Sequence, residues 1–321
     1  PIESRAAHLR GFFIDEWFRI VPALGMDHKT VSDRLSPSAK VKLTQKSDTK
    51  GLLHLAAYCL LVLISSVWIA TQSPLWPLMM VIQGILLVFL FTLCHECTHQ
   101  SPFKTDWLNE WVGHATGTVL ILPFVWFRYF HLAHHKYTND PENDPELDEP
   151  KPDNWSDYLI HVSGLPYWWS QIRTLFRNAF LEPSAVYLPD RALGRVKREA
   201  RVMLAFYGIL LLNLFTSPLV LTLWLVPMLL GQPFLRLYLL AEHGRCPSVA
   251  NMLENSRTTF TNRIIRFLAW NMPYHIEHHS FPAVPFHALP DLHEHMKQNL
   301  ITTSPGYRAF TKEYVADLGG N

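Results

Sequence analysis

A long stretch without charged residues constrains this chain more than any other feature. Between Gly51 and Cys94 the sequence contains no Asp, Glu, Lys or Arg. A helix that crosses a membrane takes about 20 apolar residues, so this stretch predicts two spans, at about 52–72 and 76–96, separated at the prolines of "TQSPLWP". Two buried core helices of a soluble protein are the alternative, and the length of the uncharged stretch disfavours them.

A second uncharged stretch, residues 202–235, predicts a second pair of spans. The turn sequence "TSP" at 216–218 divides it into spans at about 201–216 and 219–238, each near the lower length limit for a crossing. Only 17% of the residues are charged, against about 25% in a typical soluble domain. We therefore predict a single all-α integral membrane domain over residues 1–321, with four transmembrane helices in two hairpins.

Basic residues predict the orientation of these spans, because cytoplasmic segments carry an excess of Lys and Arg. The first 50 residues contain nine of them, and the loop inside each pair of spans contains none. A further basic cluster precedes the second pair and consists of Arg191, Arg195, Lys197, Arg198 and Arg201. Both termini are therefore predicted to be cytoplasmic. Segments 97–200 and 240–321 would form one cytoplasmic cap, in which the apolar stretch 117–127 forms an interfacial or re-entrant helix.

Eight of the 17 histidines of the chain lie in three short clusters. The first cluster, "HECTHQ" (95–100), places Glu96 between two histidines four residues apart, which is the pattern of a zinc peptidase helix. The next two are "HLAHH" (131–135) and "HIEHH" (275–279), and a single histidine, His243, follows the fourth predicted span. Histidines three or four residues apart share a helix face. The predicted topology brings all three clusters and His243 to the cytoplasmic side.

These histidines provide nine candidate metal ligands: His95, His99, His131, His134, His135, His243, His275, His278 and His279. One zinc ion takes three or four protein ligands, so nine imidazoles exceed the needs of a peptidase site. They suffice for two metal ions with four or five ligands each, and imidazole binds Fe, Cu and Zn. A membrane zinc hydrolase that uses His95, Glu96 and His99 is the alternative from another class.

The three clusters, in this order and spacing, resemble the histidine boxes of the membrane fatty acid desaturase and hydroxylase superfamily. "HHKYTNDPENDP" (134–145) and "NMPYHIEHHSFPAVPFHALPDLH" (271–293) extend the resemblance, which covers most of residues 50–295. It implies an integral membrane enzyme with two iron ions, held by the eight box histidines and His243, and with O₂ as co-substrate. Leu239 stands where acyl-CoA desaturases have an Asn, which favours hydroxylation over desaturation by a small margin.

Acidic and aromatic residues near the clusters are candidates for supporting roles. Carboxylates orient metal-bound imidazoles through hydrogen bonds, and the candidates for this role are Glu96, Asp140, Asp144 and Glu277. A solvated loop is the alternative for the acidic run 140–149. Candidates for the wall of an apolar substrate pocket are Phe124, Trp126, Phe127, Tyr129, Phe130 and Leu239. An aromatic belt at the membrane interface is the alternative for the aromatic residues.

The sequence contains no electron-transfer motif of its own. It has no G-x-G-x-x-G, and its four cysteines are not spaced for an iron–sulfur cluster. We therefore predict an external donor, namely a ferredoxin, a rubredoxin or a cytochrome b5-like protein with its reductase. The basic cluster around Arg195 either docks that donor or anchors the membrane face.

The predicted function is O₂-dependent oxidation of an unactivated C–H bond, by hydroxylation or desaturation, in an apolar, lipid-like substrate of the membrane. A small polar metabolite is the alternative substrate for the same chemistry. The net charge of +1 does not indicate binding to nucleic acid, and the sequence predicts no particular oligomeric state.

Overall fold

The computed structural model describes residues 27–319. The part of the orientation prediction that depends on Arg5, Arg10 and Arg19 lies outside the described residues. The described chain is predominantly helical. Its strands are limited to one parallel pair, in which β1 (Thr258–Thr259) is hydrogen-bonded to β2 (Thr303–Ser304).

Fifteen α-helices follow one another along the described residues. The first seven are α1 (His28–Arg34), α2 (Pro37–Leu43), α3 (Asp48–Ala70), α4 (Trp76–Thr98), α5 (Asp106–Val119), α6 (Phe124–Tyr137) and α7 (Trp155–Ser163). The other eight are α8 (Leu165–Phe180), α9 (Asp190–Asn213), α10 (Val226–His243), α11 (Met252–Asn255), α12 (Arg263–Leu268), α13 (His275–Ser280), α14 (Leu289–Met296) and α15 (Tyr307–Ala316). Single 3₁₀ turns lie at Pro145–Asp148, Phe286–Ala288 and Asp317–Gly319, and a π-helical turn, Leu221–Leu225, leads into α10.

Within residues 27–319, three helical stretches are long and apolar enough to cross a membrane: Pro37–Ala70, Trp76–Thr98 and Leu221–His243. Each of them contains nearly all of one predicted span, at 52–72, 76–96 and 219–238 respectively. The remaining predicted span, 201–216, falls mainly in the second half of α9, whose first half carries the basic cluster. α9 is not among the three apolar stretches, so a fourth span stays a prediction.

The apolar stretch 117–127 is not one helix, contrary to the prediction. α5 ends at Val119 and α6 begins at Phe124. Between them Ile121 adopts the left-handed conformation, with φ of 57°, and a proline occupies position 123. Proline disfavours helical conformation at the residue before it, so the chain leaves the helix here. Phe124 then packs against Gly113 of α5, which brings α6 back onto α5.

α4 is the most deeply buried of the apolar helices and packs against α3, α5 and α10. It touches α10 where two glycines meet. A Cβ atom on Gly84 would lie 2.0 Å from the carbonyl oxygen of Pro227, and one on Gly231 would lie 2.3 Å from the backbone of Gly84. His95 and His243 each follow their glycine by about three helical turns. This close contact therefore sets the two histidines at one end of the helix pair.

Candidate metal centre

Four segments of the chain position the nine candidate ligands, all of which are buried or half-buried. α4 carries His95 in its last turn, and His99 is its C-terminal cap residue. α10 ends at His243. α6 carries the second cluster and α13 the third. The four segments are distant in sequence, so tertiary packing assembles the site.

Glu199 of α9 fixes the start of α6. Its carboxylate oxygens accept hydrogen bonds from the backbone N–H groups of Phe124, at 3.0 Å, and Val125, at 2.8 Å. One of these oxygens also lies 2.6 Å from Nδ1 of His114. The first N–H groups of a helix have no partner within the helix, and a negative charge at this end is favourable for the helix dipole. Glu199 therefore helps to hold the helix that carries the second cluster.

The third cluster lies on α13, a helix of only 6 residues. Helices this short are not stable on their own, so the surrounding segments must hold α13. The N–H of Ile276 donates to the Thr258 hydroxyl of β1, at 3.3 Å. The carboxylate of Glu277 accepts from the same hydroxyl and also bonds to His293 of α14. β1 and α14 thus fix the orientation of the third cluster.

Five of the imidazoles form one compact group, which we call the five-ring group: His95, His99, His131, His135 and His278. One ring nitrogen from each residue lies within 4.8 Å of the corresponding nitrogens of the others. The Nε2 atoms of His99 and His131 are 2.8 Å apart, and those of His135 and His278 are 3.2 Å apart. All three histidine boxes contribute to this group.

The other four imidazoles form a second group, which we call the four-ring group: His134, His243, His275 and His279. Nitrogens of His134, His243 and His279 lie within 4.8 Å of one another. His275 joins them because its Nε2 is 2.9 Å from Nε2 of His243, which in turn is 3.2 Å from Nε2 of His134. The rings of His135 and His279, one from each group, stack at 4.0 Å between centroids. The two groups are therefore adjacent.

The donors in both groups fit metal ions. Two nitrogens that each lie about 2.0–2.1 Å from one metal ion, with a right angle between the two bonds, are about 2.9 Å apart. The four Nε2–Nε2 distances in the two groups, 2.8 to 3.2 Å, are close to this value. Burial, reinforced by the neighbouring imidazoles, lowers the pKa of His131, His135 and His278 well below its usual value. These rings are therefore neutral near pH 7, and neutral imidazole is the form that binds metal.

Every ring of the four-ring group has a polar contact at Nδ1. Nδ1 of His134 lies 3.0 Å from each carboxylate oxygen of Asp144 and 2.9 Å from Glu146. Against the effect of burial, these carboxylates raise the pKa of His134 to about 10, so that this ring, unlike those of His131, His135 and His278, has to release a proton when it binds metal. The other contacts join His243 to the Asn255 carbonyl oxygen at 3.0 Å, His279 to the Thr138 hydroxyl at 3.2 Å and His275 to Glu242 at 3.4 Å. Such partners fix the orientation of a metal-binding ring.

The structure distinguishes the four carboxylates that were predicted to orient ligands. Asp144 contacts His134 as described. Glu96 lies 3.6 Å from Nδ1 of His278 through Oε1, while its Oε2 accepts from the Ser101 hydroxyl and the Phe286 N–H. Glu277 pairs with His293 instead of one of the nine candidates. In the described part of the chain, the hydrogen bonds that Asp140 accepts stay within its own loop and come from Glu142 and Asn143 among others.

Sequence reasoning missed three of the groups that contact the rings, Glu242, Asn255 and Thr138, and did not single out a fourth, Glu146, from its acidic run. A signal existed for two of them, because Glu146 belongs to the acidic run 140–149 and Glu242 directly precedes His243. Asn255 contacts His243 through its backbone carbonyl, so its residue type gives no signal. Thr138 follows the second box but resembles an ordinary helix-terminal residue.

Among the predicted pocket residues, Phe127 has a ring contact with a candidate ligand. Its ring stacks on His131 at 5.6 Å between centroids and lies 5.5 Å from the ring of Phe91 on α4. Phe130 stacks on Phe127 at 6.4 Å, and Trp126 stacks on Phe130 at 5.1 Å. These rings form a continuous aromatic surface that begins at the five-ring group.

The other predicted pocket residues lie elsewhere in the core. Phe124 fills the space above Gly113 and Gly117. Tyr129 packs with a small cluster that includes Val196 of α9. Leu239 is half-buried against the main hydrophobic core. The structure therefore separates one aromatic surface from residues that mainly support α6 and α10.

Residues 71–311 match the model of the fatty acid desaturase family, and this match covers most of the chain. The chain belongs to the fatty acid desaturase family. An sn-1 oleoyl-lipid 12-desaturase of Arthrospira platensis is 24% identical to it over 287 residues, which are 79% of this chain and 75% of the relative. A protein of the same name from Synechocystis is 25% identical over 273 residues, which are 78% of this chain and 71% of the relative.

A third relative, the sn-1 acyl-lipid omega-3 desaturase (ferredoxin) of Nostoc, is 26% identical over 137 residues, which are 40% of this chain and 36% of that protein. Desaturases are oxidoreductases, so this chain is an enzyme of that class. Family membership and the three apolar helices make it an integral membrane protein. The resemblance inferred from the histidine boxes is thereby confirmed.

Proposed function

We propose that this enzyme desaturates an acyl chain of a membrane lipid, with two iron ions as cofactor, O₂ as oxidant and electrons from a ferredoxin-type donor. The observation that carries the proposal is the gathering of nine imidazoles into two adjacent groups at the ends of α4 and α10. The reaction removes two hydrogens from adjacent carbons. With two further electrons and two protons, O₂ is reduced to two water molecules.

The five-ring group would hold one iron and the four-ring group the other. Bound iron would supply the oxidation of an unactivated C–H bond, which no side chain can perform. The chain itself contributes orientation: Asp144 and Glu146 hold Nδ1 of His134, so that its Nε2 points at His243. Glu96 is buried, and its carboxylate accepts hydrogen bonds from the Ser101 hydroxyl and the Phe286 N–H. This arrangement favours an orienting role for Glu96 over that of the base in a zinc hydrolase.

The names of the relatives and the aromatic surface support a lipid substrate. Two relatives are named for oleoyl-lipid and one for acyl-lipid substrates. Phe91 lies 6.4 Å from His95 between ring centroids, and Phe127 lies 5.6 Å from His131. An acyl chain against these rings would present its methylene groups to the five-ring group. We prefer desaturation to hydroxylation because these relatives are named desaturases, although Leu239 favoured hydroxylation at the level of sequence.

A ferredoxin-type donor is supported by the Nostoc relative, whose name specifies ferredoxin. For its docking site we propose the exposed first half of α9. Arg195 there lies 3.5 Å from Glu110, and Lys197 pairs with Glu182. Arg191 and Arg198 are exposed and have no carboxylate within ion-pair distance among residues 27–319. Unpaired surface charge of this kind steers the association of an oppositely charged partner.

For the topology we propose four spans, with the termini, the metal centre and the cap formed by 97–200 and 240–321 on the cytoplasmic side. The distribution of basic residues supports this orientation. α9 would cross through its apolar second half, where Val202, Ile209 and Leu212 are exposed. Exposed aliphatic side chains of this size fit a lipid environment better than water.

The test is product analysis after reconstitution with a panel of lipids, a ferredoxin with its reductase, and isotopically labelled O₂. We expect an acyl chain that has lost two hydrogens and carries no label, and about two irons per chain on metal analysis, as two ligand groups require. One labelled oxygen in the product would instead show hydroxylation. Oxidation of a water-soluble metabolite with no change in any lipid contradicts the lipid assignment, and a single zinc with hydrolysis contradicts the di-iron assignment.

A further inference from the structure

The helix α8 exposes a row of large apolar side chains, although two polar side chains of the same helix are buried. The side chains that it exposes include Leu165, Trp169, Ile172, Phe176 and Phe180, with Trp169 69% exposed and Phe180 67% exposed. Its buried face combines Gln171 and Asn178, which are 8% and 2% exposed, with apolar and aromatic residues, namely Tyr167, Trp168, Leu175 and Ala179. A helix that faces water carries charged and polar residues on its exposed face, whereas most of the exposed side chains of α8 are large and apolar. The medium outside α8 is therefore apolar.

Two arginines locate α8 relative to the uncharged stretch 202–235. Arg201 is the last charged residue before this stretch, and Arg236 is the first one after it. The Nε of Arg201 donates to the carbonyl oxygen of Ala179, at 2.9 Å, near the C-terminal end of α8. The guanidinium of Arg236 lies 4.3 Å from the ring centroid of Tyr167, near the N-terminal end.

Both ends of α8 thus contact the arginines that border the uncharged stretch, Arg201 on α9 and Arg236 on α10. Charged side chains at the ends of membrane segments lie at the interface between the lipid and water. A helix fixed to two such residues lies along that interface. The preceding helix, α7, continues the apolar surface, because Trp155, Leu159 and Ile160 are exposed as well.

Two further arginines flank the apolar face of α8. Arg173 and Arg177 are exposed. Among the described residues neither has a carboxylate within ion-pair distance, and Arg177 donates only to the Ser184 hydroxyl. A helix with aromatic and aliphatic residues on one face and arginines beside them binds at the surface of a bilayer, and its cations attract anionic lipids.

We propose that α8 is an interfacial helix, which inserts its exposed apolar face into the lipid headgroup boundary and binds anionic phospholipid headgroups through Arg173 and Arg177. The occupant of this surface is the bilayer in which the enzyme is embedded. The proposal concerns the seating of the protein in the membrane, so it does not depend on the reaction that the metal centre performs.

The first experiment measures where α8 lies. Ile172→Cys is labelled with an environment-sensitive fluorophore in the full chain reconstituted in lipid nanodiscs, after Cys59 and Cys246 have been replaced by Ser. Glu313→Cys on α15, an exposed polar position, is the matched control. We expect a blue-shifted emission at position 172, quenched more by lipids with a spin label near the headgroup than by lipids labelled at the chain end, and an unshifted emission at position 313.

Two results of that experiment would overturn the proposal. The first is that an aqueous quencher reaches the fluorophore at position 172 as readily as the one at position 313. The second is a blue shift that appears without lipid and increases with protein concentration, because it would show that a second copy of the chain covers this face.

The second experiment measures the lipid preference. Association of spin-labelled phosphatidylglycerol and phosphatidylcholine is compared for the wild type, for Arg173→Gln/Arg177→Gln and for Arg308→Gln, which removes an exposed arginine of α15. We expect the wild type to prefer phosphatidylglycerol at low salt, by about five-fold for each arginine. The double variant should lose this preference while position 172 stays in lipid, and the control should keep it. An unchanged preference in the double variant would exclude the two arginines as the headgroup contacts.

Discussion

The two groups of imidazoles differ in how their rings are held. In the four-ring group each Nδ1 has a polar contact. Asp144 and Glu146 contact His134. The other three contacts join His275 to Glu242, His243 to the Asn255 carbonyl oxygen and His279 to the Thr138 hydroxyl. In the five-ring group the carboxylate nearest to a ring in the described residues is that of Glu96, at 3.6 Å from His278. Both nitrogens of His95 are buried without a hydrogen-bond partner among the described residues.

The side chains around the two groups also differ, being more apolar at the five-ring group and more polar at the four-ring group. Phe91 and Phe127 border the five-ring group at His95 and His131, whereas hydrogen-bonding groups lie at Nδ1 of His134, His243 and His279 in the four-ring group. Hydrogen bonds to the second ring nitrogen hold a ligand in place and increase its basicity, and aromatic walls admit apolar ligands. We therefore expect the four-ring side to determine how tightly metal is held, and the five-ring side to determine which carbon of the substrate is oxidised.

The largest effect is expected from removing one ligand of either group. His243→Ala and His278→Ala should each lower the iron content from two to about one per chain and reduce turnover on the order of 100-fold or more, since even loss of a supporting partner costs 10–100-fold. Iron content by mass spectrometry and lipid product formation are the measurements. His295→Ala, which changes an exposed histidine, is the control and should keep both.

Each variant tests one side of the comparison. A His243→Ala protein that retains two irons and full activity would remove the four-ring group from the metal centre. The same result for His278→Ala would remove the five-ring group, and the peptidase-like pair of His95 and His99 would then have to be reconsidered.

Much of the fold could be predicted because its signals are local in the sequence. An uncharged stretch and a proline-containing turn are enough to predict α3, α4 and the helix that ends at His243. The gathering of the three boxes followed from topology alone. The partition into five and four could not be predicted, because it depends on the side-chain directions of consecutive residues: His134 and His135 are neighbours in sequence and belong to different groups.

The partners of the rings were less predictable than the rings. Asp140 and Asp144 look alike in the sequence, but only Asp144 reaches His134, because the turn after α6 directs Asp140 into its own loop. The chain reversal at Ile121 was missed for a related reason. An apolar stretch with one proline is compatible with a single interfacial helix, whereas the structure has a left-handed residue at Ile121 and packs Phe124 on Gly113.

These two aspartates provide the next prediction. Asp144→Ala should weaken iron binding 10–100-fold, because it removes the buried carboxylate from Nδ1 of His134. Asp140→Ala should leave iron binding unchanged, because its hydrogen bonds stay within the loop. Competition with a chelator measures the affinity of each variant. Equal losses in the two variants would mean that the loop, and not the contact with His134, supports the site.

A smaller effect is expected on the aromatic side. Phe127→Ala removes the ring that stacks on His131, so the substrate chain should be held less firmly beside the five-ring group. We expect kcat/KM to fall about ten-fold, by analogy with the loss of apolar pocket contacts, together with products that differ in double-bond position. Iron content should stay at two. Tyr129→Ala, two residues further along α6 and packed near Val196, is the control for general damage to the helix.

Together, Asp144→Ala and Phe127→Ala separate the two sides. The first should change metal affinity but not the position of the double bond, and the second should do the reverse. A Phe127→Ala variant with reduced iron content and unchanged products would show that this ring supports the ligands instead of the substrate.

The smallest effect is expected where one element serves both groups. α6 carries His131 and His135 of the five-ring group and His134 of the four-ring group, and Glu199 holds its first two N–H groups. Glu199→Gln keeps one acceptor and loses the charge. Because helix caps contribute about 1 kcal/mol, we expect the melting temperature to fall by a few degrees and both irons to be released together at slightly lower chelator concentration. Glu182→Gln, at an exposed ion pair with Lys197, should change neither. Selective loss of one iron would show that the two groups are supported independently, because a shared helix that loosens at its start cannot release one of them alone.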